Sequence, residues 1–467
     1  MARAKHITHG GAKSSKITPA QELRRSVMAC MLWEDEFYED GVSISKRIQY
    51  LISKVDPQEV QKIAIEARGK MKLRHIPLFI TRIMAKTKKT KTLVASTLEA
   101  VIQRADELSE FLKIYWLDGK QPISKQVKKG LAKAFQKFDA YQLAKYDRNS
   151  DDIRLRDVLF LCHAKPKNKE QEELWKKLAE QTLESPDTWE VALSACENKK
   201  ETWERLLNEN KLGALALLRN LRNMKQANVS DALIKSALGK MKVERVLPFR
   251  FITAAKYAPH LEADLEKVMF RCLEGHEKLP GKTILIVDVS GSMYSGMLSG
   301  KSELDRAQVA CALAILVREI CEEPIVYATA GSDSQKTHQT ALVPANRSGF
   351  ALFDAIYKLS DPLGGGGIFL KQVMDFVKRE QKDADRIIVI TDEQDCDHGV
   401  RGDPKLADAF GDTNYIINVA SYKKGIAYGK FHHIDGWSEA VLDYIREFEK
   451  SEFPTVIDTM EMDKGVR

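Results

Sequence analysis

Three oxygen-bearing side chains stand at alternate positions after the apolar run 284–287: Asp288, Ser290 and Ser292. One carboxylate and two hydroxyls on a tight loop can point toward one spot. Mg²⁺ and Mn²⁺ bind such donors, with water filling the remaining positions of an octahedron. The pattern predicts a divalent cation site. The competing interpretation is that these residues only cap the helix that follows.

A second carboxylate, Asp392, follows the apolar run 386–391. It is expected near Asp288 at the crest, the edge of the sheet formed by the carboxyl ends of its parallel strands, because ligands collect there. The glycines 364–367 predict a flexible loop nearby. They lack the spacing of a phosphate-binding loop, so nucleotide binding is excluded. A solvated acidic loop is favoured over a separate metal cluster for the side chains that follow Asp392: Glu393, Asp395, Asp397 and His398.

Apolar strand-like runs alternate with helical patterns around these residues. Buried strands are predicted over 282–290, 324–330, 386–392 and 414–420, and helices over 303–320, 350–359, 369–381 and 437–450. Such alternation is typical of a parallel sheet with helices on both faces, a Rossmann-like α/β domain.

The chain before this domain predicts one amphipathic helix after another. Stacked helix pairs, as in a solenoid, and an irregular helical bundle are both compatible with the pattern, since no fixed repeat length is present. Helices are predicted over 19–34 and near 43–53, 57–69, 75–86, 91–114, 124–145, 153–163, 169–183, 187–195, 211–224, 229–240 and 259–273.

Charge is distributed unevenly, although the formal net charge is only +7. Basic residues outnumber acidic ones in residues 1–280, with concentrations at 61–91 and 120–148, and the balance reverses afterwards. Four lysines three and four positions apart share one helical face and would attract phosphates: Lys125, Lys128, Lys129 and Lys133.

Aromatic and imidazole side chains near this lysine face are Tyr141, Tyr146 and His163. Unpaired RNA bases stack on such groups. The alternative is a solvated lysine face with the aromatic rings in the core.

Several classes of protein are excluded by composition. No apolar run is long enough to span a membrane, and the basic N-terminus lacks the apolar segment of a secretory signal. The seven cysteines are scattered and form no CxxC pair, which suits a reducing cytosol. A cytoplasmic protein without a membrane partner is predicted.

The motif DVSGSM, followed by TDEQ, resembles the metal-ion-dependent adhesion site of von Willebrand factor A domains over about residues 281–450. The resemblance implies that Asp288, Ser290 and Ser292 ligate a divalent cation, with Asp392 acting directly or through water. The family usually has a Thr after the glycine-rich loop, where this chain has Ile368. One ligand is therefore missing.

Motifs of the first part resemble the TROVE module (telomerase, Ro and vault): LRRSVMACMLWEDEFYEDG, EARGKMKLRHIPLFI, LAKYDRNSDDIRLRDVLFLCHAKP and LGALALLRNLRNM. Together with the von Willebrand domain, they make about residues 10–450 similar to a Ro ribonucleoprotein of the Ro/SS-A autoantigen family, bacterial or phage type. The resemblance implies a ring of HEAT-like helical repeats (TROVE module, 1–278) closed by the α/β domain (279–467).

The same resemblance implies an RNA-binding function. Y RNA would bind the basic outer surface, the single-stranded 3′ ends of misfolded RNAs would enter the ring hole, and a 3′ exoribonuclease would be a partner tethered by Y RNA to a monomeric ring. The family's RNA contacts correspond to Lys145, Arg148 and His163. The charged face adds Lys128, Lys129 and Lys133.

Two other functions are weighed against RNA binding. In one, the von Willebrand domain is a protein-adhesion adaptor that clasps a partner's carboxylate through the cation. In the other, the chain is a metal-dependent hydrolase, which needs an activated water and a general base. Because no two-metal carboxylate cluster or HExxH motif is present, the chain is predicted to be noncatalytic.

Overall fold

The structure, a computed structural model, divides into two compact units, Thr18–Trp33 with Gly41–Lys211, and a second built on Leu212–Arg467. It describes residues 18–29, 41–71, 73–147, 152–184, 186–243, 246, 249–274, 277–295, 297, 304–397, 413–420, 431–435, 445 and 449. Within these residues, no helix is both long enough and apolar enough to cross a bilayer.

The first unit is entirely helical among its described residues. Odd-numbered helices α1 to α9 contact one another in succession, and α2, α4 and α6 do the same beside them. This two-row stacking confirms the helix pairs of a solenoid rather than an irregular bundle. The helices are α1 (Pro19–Ala29), α2 (Gly41–Ile52), α3 (Pro57–Gly69), α4 (His75–Lys86), α5 (Val94–Val101), α6 (Asp106–Tyr115), α7 (Lys125–Phe135), α8 (Ala140–Tyr146), α9 (Leu155–Cys162), α10 (Lys169–Glu180), α11 (Trp189–Ala195) and α12 (Lys199–Asn208).

Two long predicted helices are divided by side chains that cap the backbone. The predicted helix 91–114 becomes α5 and α6, because the buried Glu107 carboxylate accepts hydrogen bonds from the N–H groups of Gln103 and Arg104. The predicted helix 124–145 becomes α7 and α8, because Asp139 and Gln142 form a capping box that starts a new helix.

The second unit begins with four helices and continues into one six-stranded sheet. Strand order is β3-β2-β1-β4-β5-β6, and all neighbours are parallel except the antiparallel β2–β3 hairpin. Its elements are α13 (Ala214–Gln226), α14 (Asp231–Lys240), α15 (Phe249–Tyr257), α16 (Glu262–Arg271), β1 (Leu279–Asp288), α17 (Gly291–Tyr294), α18 (Arg306–Ile320), β2 (Cys321–Ser332), β3 (Thr337–Leu342), α19 (Gly349–Tyr357), α20 (Leu370–Glu380), β4 (Arg386–Thr391), β5 (Asn414–Asn418) and β6 (His432–Asp435).

The α-helical and Rossmann-like α/β parts of the predicted fold are confirmed. The predicted parallel sheet differs in one strand, β3, which a short turn returns antiparallel to β2. The predicted helix 437–450 lies outside the described residues, apart from Ile445 and Glu449.

The predicted domain boundary at 278/279 stays a prediction. Helices give way to strands at Leu279, whereas the second compact unit already begins at Leu212. The ring implied by the resemblance also stays a prediction.

Candidate nucleic-acid interface

Helix α7 holds the predicted lysine face toward solvent. Val127, Leu131 and Phe135 are fully buried on its other side. Gly130 faces α5 so closely that a Cβ there would lie 2.8 Å from the Cβ of Leu98. This packing fixes the rotation of the helix. The lysines lie on the side away from these buried residues. Lys128 is half-buried there, and the exposed ones are Lys125, Lys129 and Lys133.

His163 lies next to this face, at the end of α9. It adopts a left-handed conformation (φ 53°) as the residue that ends the helix, a position that usually favours glycine. Buried Cys162 anchors the preceding turn, while the His163 side chain is exposed. Its Nε2 lies 3.4 Å from Nζ of Lys128. The structure therefore brings these two predicted RNA-binding residues together.

The other lysines of the stripe have different surroundings. Nζ of Lys133 lies 2.8 Å from the Glu99 carboxylate, so a neighbouring acid offsets its charge. Among the described residues, Lys129 forms no ion pair. Lys137, from the same basic stretch, stays partly exposed, but its Nζ donates to the carbonyls of Glu99 and Ile102. Burial lowers the pKa of Lys137.

Lys145 lies on α8, where its Nζ is 5.8 Å from the centre of the Tyr146 ring. The guanidinium of Arg104 lies 4.9 Å from the same ring, so Tyr146 already has a cationic partner. Tyr141 is 51% exposed and is the more open stacking surface. Arg148 lies outside the described residues, so its predicted contact is not placed.

Two lysines just after His163 were not among the predicted RNA contacts. Lys165 and Lys167 are exposed in the segment that leads to α10. Nζ of Lys167 donates to the carbonyl of Gln136, just beyond α7, at 3.4 Å. The local signal was the basic sequence HAKPKNK, but only the fold shows that it runs beside α7.

Three loops build the predicted cation crest on the α/β sheet. Asp288 is the last residue of β1, and Asp392 comes directly after β4. Since these strands are parallel neighbours, both carboxylates lie at the same edge of the sheet. The glycine-rich loop joins them, because the N–H of Gly291 donates to the carbonyl of Gly366 and the N–H of Cys396 to that of Ile368. The predicted proximity of these three segments is confirmed.

Three candidate ligands, Asp288, Ser290 and Asp392, are almost fully buried, and Ser292 is half-buried. Asp288 accepts hydrogen bonds from the Ser290 N–H at 2.8 Å and from the Thr391 hydroxyl at 2.6 Å. The Ser290 and Ser292 hydroxyls lie 3.2 Å apart. Burial and the nearby Asp392 carboxylate raise the pKa of Asp288 to about 7. A positive charge at this crest would offset the repulsion between the two carboxylates.

A guanidinium already stands beside these carboxylates. Arg306, only 3% exposed, lies 4.0 Å from Oδ2 of Asp392 and donates to the carbonyl of Ser292 at 3.3 Å. Ile368, at the position of the family's Thr, is buried among Leu370, Val373 and other core residues. The donor set therefore fits a divalent cation only in part.

The acidic side chains after Asp392 differ from the predicted solvated loop. Glu393 and Asp395 are fully buried. Glu393 lies 2.7 Å from Nδ1 of His433, and Asp395 accepts a hydrogen bond from the Leu370 N–H at the start of α20. These carboxylates thus anchor neighbouring elements. His398 lies outside the described residues. Among the residues that are described, no three His, Cys, Asp or Glu side chains cluster in a way that could hold a metal ion.

Comparison with known proteins connects the chain to one family. The model of the TROVE domain matches residues 179–343. Telomerase protein component 1 is 37% identical in Mus musculus and 36% in Rattus norvegicus, each over 89 residues, or 18% of this chain. The chain spans only 3% of the length of these relatives.

A solved structure extends the likeness to most of the fold. The crystal structure of the Deinococcus radiodurans Ro (RSR) protein matches 93% of this chain and all of its own, with a TM-score of 0.60. At 16% identity, this likeness concerns the fold alone. The TROVE match, the shared fold and the order of the motifs agree with one another. Residues 179–343 are thus similar to the TROVE domain, and the chain has the fold of a bacterial Ro protein.

Proposed function

We propose that this chain is a noncatalytic RNA-binding protein of a noncoding-RNA ribonucleoprotein. The observation that carries the proposal is the Lys128–His163 pair on an exposed lysine face. Lysines there would neutralise phosphates, while His163 and Tyr141 offer surfaces on which unpaired bases stack. The TROVE match and the Ro-like fold support the same function.

The finer proposal concerns which RNAs bind. Y or Y-like RNA would bind the basic outer surface, and misfolded RNAs would bind through single-stranded 3′ ends in the hole that the resemblance implies. Selection would then depend on charge and on unpaired ends, without reading of base sequence. A cytoplasmic monomer that a Y RNA tethers to a 3′ exoribonuclease completes this proposal.

A direct test replaces Lys145, Arg148 and His163 together. We expect the triple variant to bind a structured RNA with a single-stranded 3′ tail more weakly than the wild type at every salt concentration. Equal affinities across a salt titration would refute the assignment of these residues. Unchanged circular dichroism serves as the control for folding.

A noncatalytic role is part of the proposal. A hydrolase at this site would need Asp392 or Glu393 as its general base, but Glu393 is fully buried against His433 and Asp392 lies beside Arg306. Labelled RNA incubated with the protein and Mg²⁺ should remain intact. Cleavage that a Glu393→Gln substitution abolishes would contradict this part.

Cation-dependent adhesion remains the alternative function of the α/β domain. A cation there would be held by Asp288, Ser290, Ser292 and Asp392, and would present an open position to a partner's carboxylate. This function requires that EDTA or Asp288→Ala abolishes partner binding, independently of RNA. The buried Ile368 and the neighbouring Arg306 weigh against it.

A further inference from the structure

A polar cavity of about 330 Å³ lies within the helical unit, away from the α7 lysines in sequence. Helix α4 supplies both cations of its lining, and the end of α2 and the turn after α6 supply its other polar side chains apart from Thr87. Its walls are Gln49, Ser53, Arg82, Ile83, Lys86, Thr87 and Asp118.

Two cations converge in this cavity on one carboxylate oxygen. Nη2 of Arg82 lies 2.5 Å and Nζ of Lys86 lies 2.6 Å from Oδ2 of Asp118. Arg82 is only 5% exposed, and its buried Nε has no hydrogen-bond partner among the described residues. The cavity thus holds one more positive charge than negative charge, together with a donor that is not yet satisfied.

Asp118 is the most exposed member of this trio. Its side chain is 66% exposed, on the turn that follows α6 and ends at Gly119 (φ 102°). Arg82, in contrast, is fixed inside α4, with its guanidinium 5.8 Å from the Phe79 ring. An incoming anion can therefore replace the Asp118 carboxylate without unpacking the helices.

An exposed lysine turn continues from the same end of α4. Thr90 fixes this turn by donating its hydroxyl to the Met84 carbonyl at 2.8 Å. Lys88, Lys89 and Lys91 are exposed on it. The turn follows Thr87, which lines the cavity, so the field of these lysines raises the local concentration of polyanions near it.

We propose that Arg82 and Lys86 form a seat for a backbone phosphate of bound RNA, from which Asp118 is displaced. This inference rests on the proposed RNA-binding function and adds a contact outside the predicted residues. A fixed arginine fork with a neighbouring lysine suits phosphate oxygens, and Asp118 keeps the seat closed when RNA is absent.

The test compares substitutions with opposite expected signs. A fluorescent RNA hairpin with a single-stranded 3′ tail serves as the probe, and its affinity is measured at several salt concentrations. Lys86→Gln should weaken binding and reduce the slope of log affinity against log salt by about one. Asp118→Asn should strengthen binding several-fold, because the competing carboxylate charge is removed.

A merely structural ion pair predicts a different result. Lys86→Gln and Asp118→Asn would then leave RNA affinity and salt slope at wild-type values, which would overturn the seat. Lys62→Gln, an exposed lysine on α3 in the other helix row, is the charge-matched control. If the wild type binds RNA and the substitutions at Lys86 and Asp118 leave affinity and salt slope unchanged, the proposed function stands and this inference is wrong. A wild type without RNA affinity overturns both.

Discussion

Nζ of Lys128 lies 3.4 Å from Nε2 of His163, which joins the exposed face of α7 to the left-handed residue that ends α9. Neighbouring helices of one row thus supply a cation and a ring to the same surface. Neither helix could present this combination alone, because His163 is 35 residues beyond Lys128.

Two lysines of α7 should differ in their contribution to RNA binding. Lys129 is exposed, whereas Lys133 lies 2.8 Å from Glu99. Lys129→Gln should weaken RNA binding and reduce the salt slope by about 0.7 to 0.9, the value for one phosphate contact. Lys133→Gln should change both less, because Glu99 already offsets its charge. Equal losses for the two variants would show that this ion pair does not matter to RNA.

The close packing of α7 on α5 predicts a stability effect. Gly130→Ala would place a Cβ 2.8 Å from that of Leu98 and 3.0 Å from the backbone of Ala95. We expect a loss of about 1–2 kcal/mol in the free energy of unfolding, measured by denaturant titration. Gly239→Ala in α14 is the control, since its Cβ would meet nothing within 4 Å. A Gly130→Ala variant as stable as this control would contradict the packing.

The position of Arg306 beside Asp392 leads us to expect weak binding of divalent cations at the crest. Because its guanidinium already stands beside Asp392, Mg²⁺ should raise the wild-type Tm only slightly. Arg306→Met should lower stability by about 3 kcal/mol, as expected when a buried charge loses its partner. Mg²⁺ should then stabilise the variant more than the wild type, and more still when Ile368→Thr is added. Strong Mg²⁺ stabilisation of the wild type that Arg306→Met leaves unchanged would count against this interpretation.

Strand prediction succeeded where burial is continuous. β1, β2, β4 and β5 carry apolar runs that only a covered sheet explains, and all four lie within or overlap the predicted segments. β3 (Thr337–Leu342) was missed, because this edge strand is half-exposed and mostly polar. β6 was missed because His432–Asp435 has only four residues and one buried aliphatic side chain.

The candidate site was predictable as far as local spacing reaches. The lysine face of α7 follows from spacing alone, and so does the crest at Asp288. Three features depend on neighbours distant in sequence: the hydrogen bond of Lys137 to the Ile102 carbonyl, the Lys133–Glu99 pair and the burial of Glu393. Arg306 was also missed, since a basic residue at the start of a helix carries no signal that it faces a carboxylate at Asp392.

The central claim is that the surface joining α7 to the end of α9 binds RNA through phosphate neutralisation. The most direct test is the affinity of wild type and of Lys128→Gln with His163→Ala for a tailed RNA hairpin, from low to physiological salt. The account predicts weaker binding and a shallower salt dependence for the double variant at unchanged Tm. Identical affinity and slope for the two proteins would contradict it.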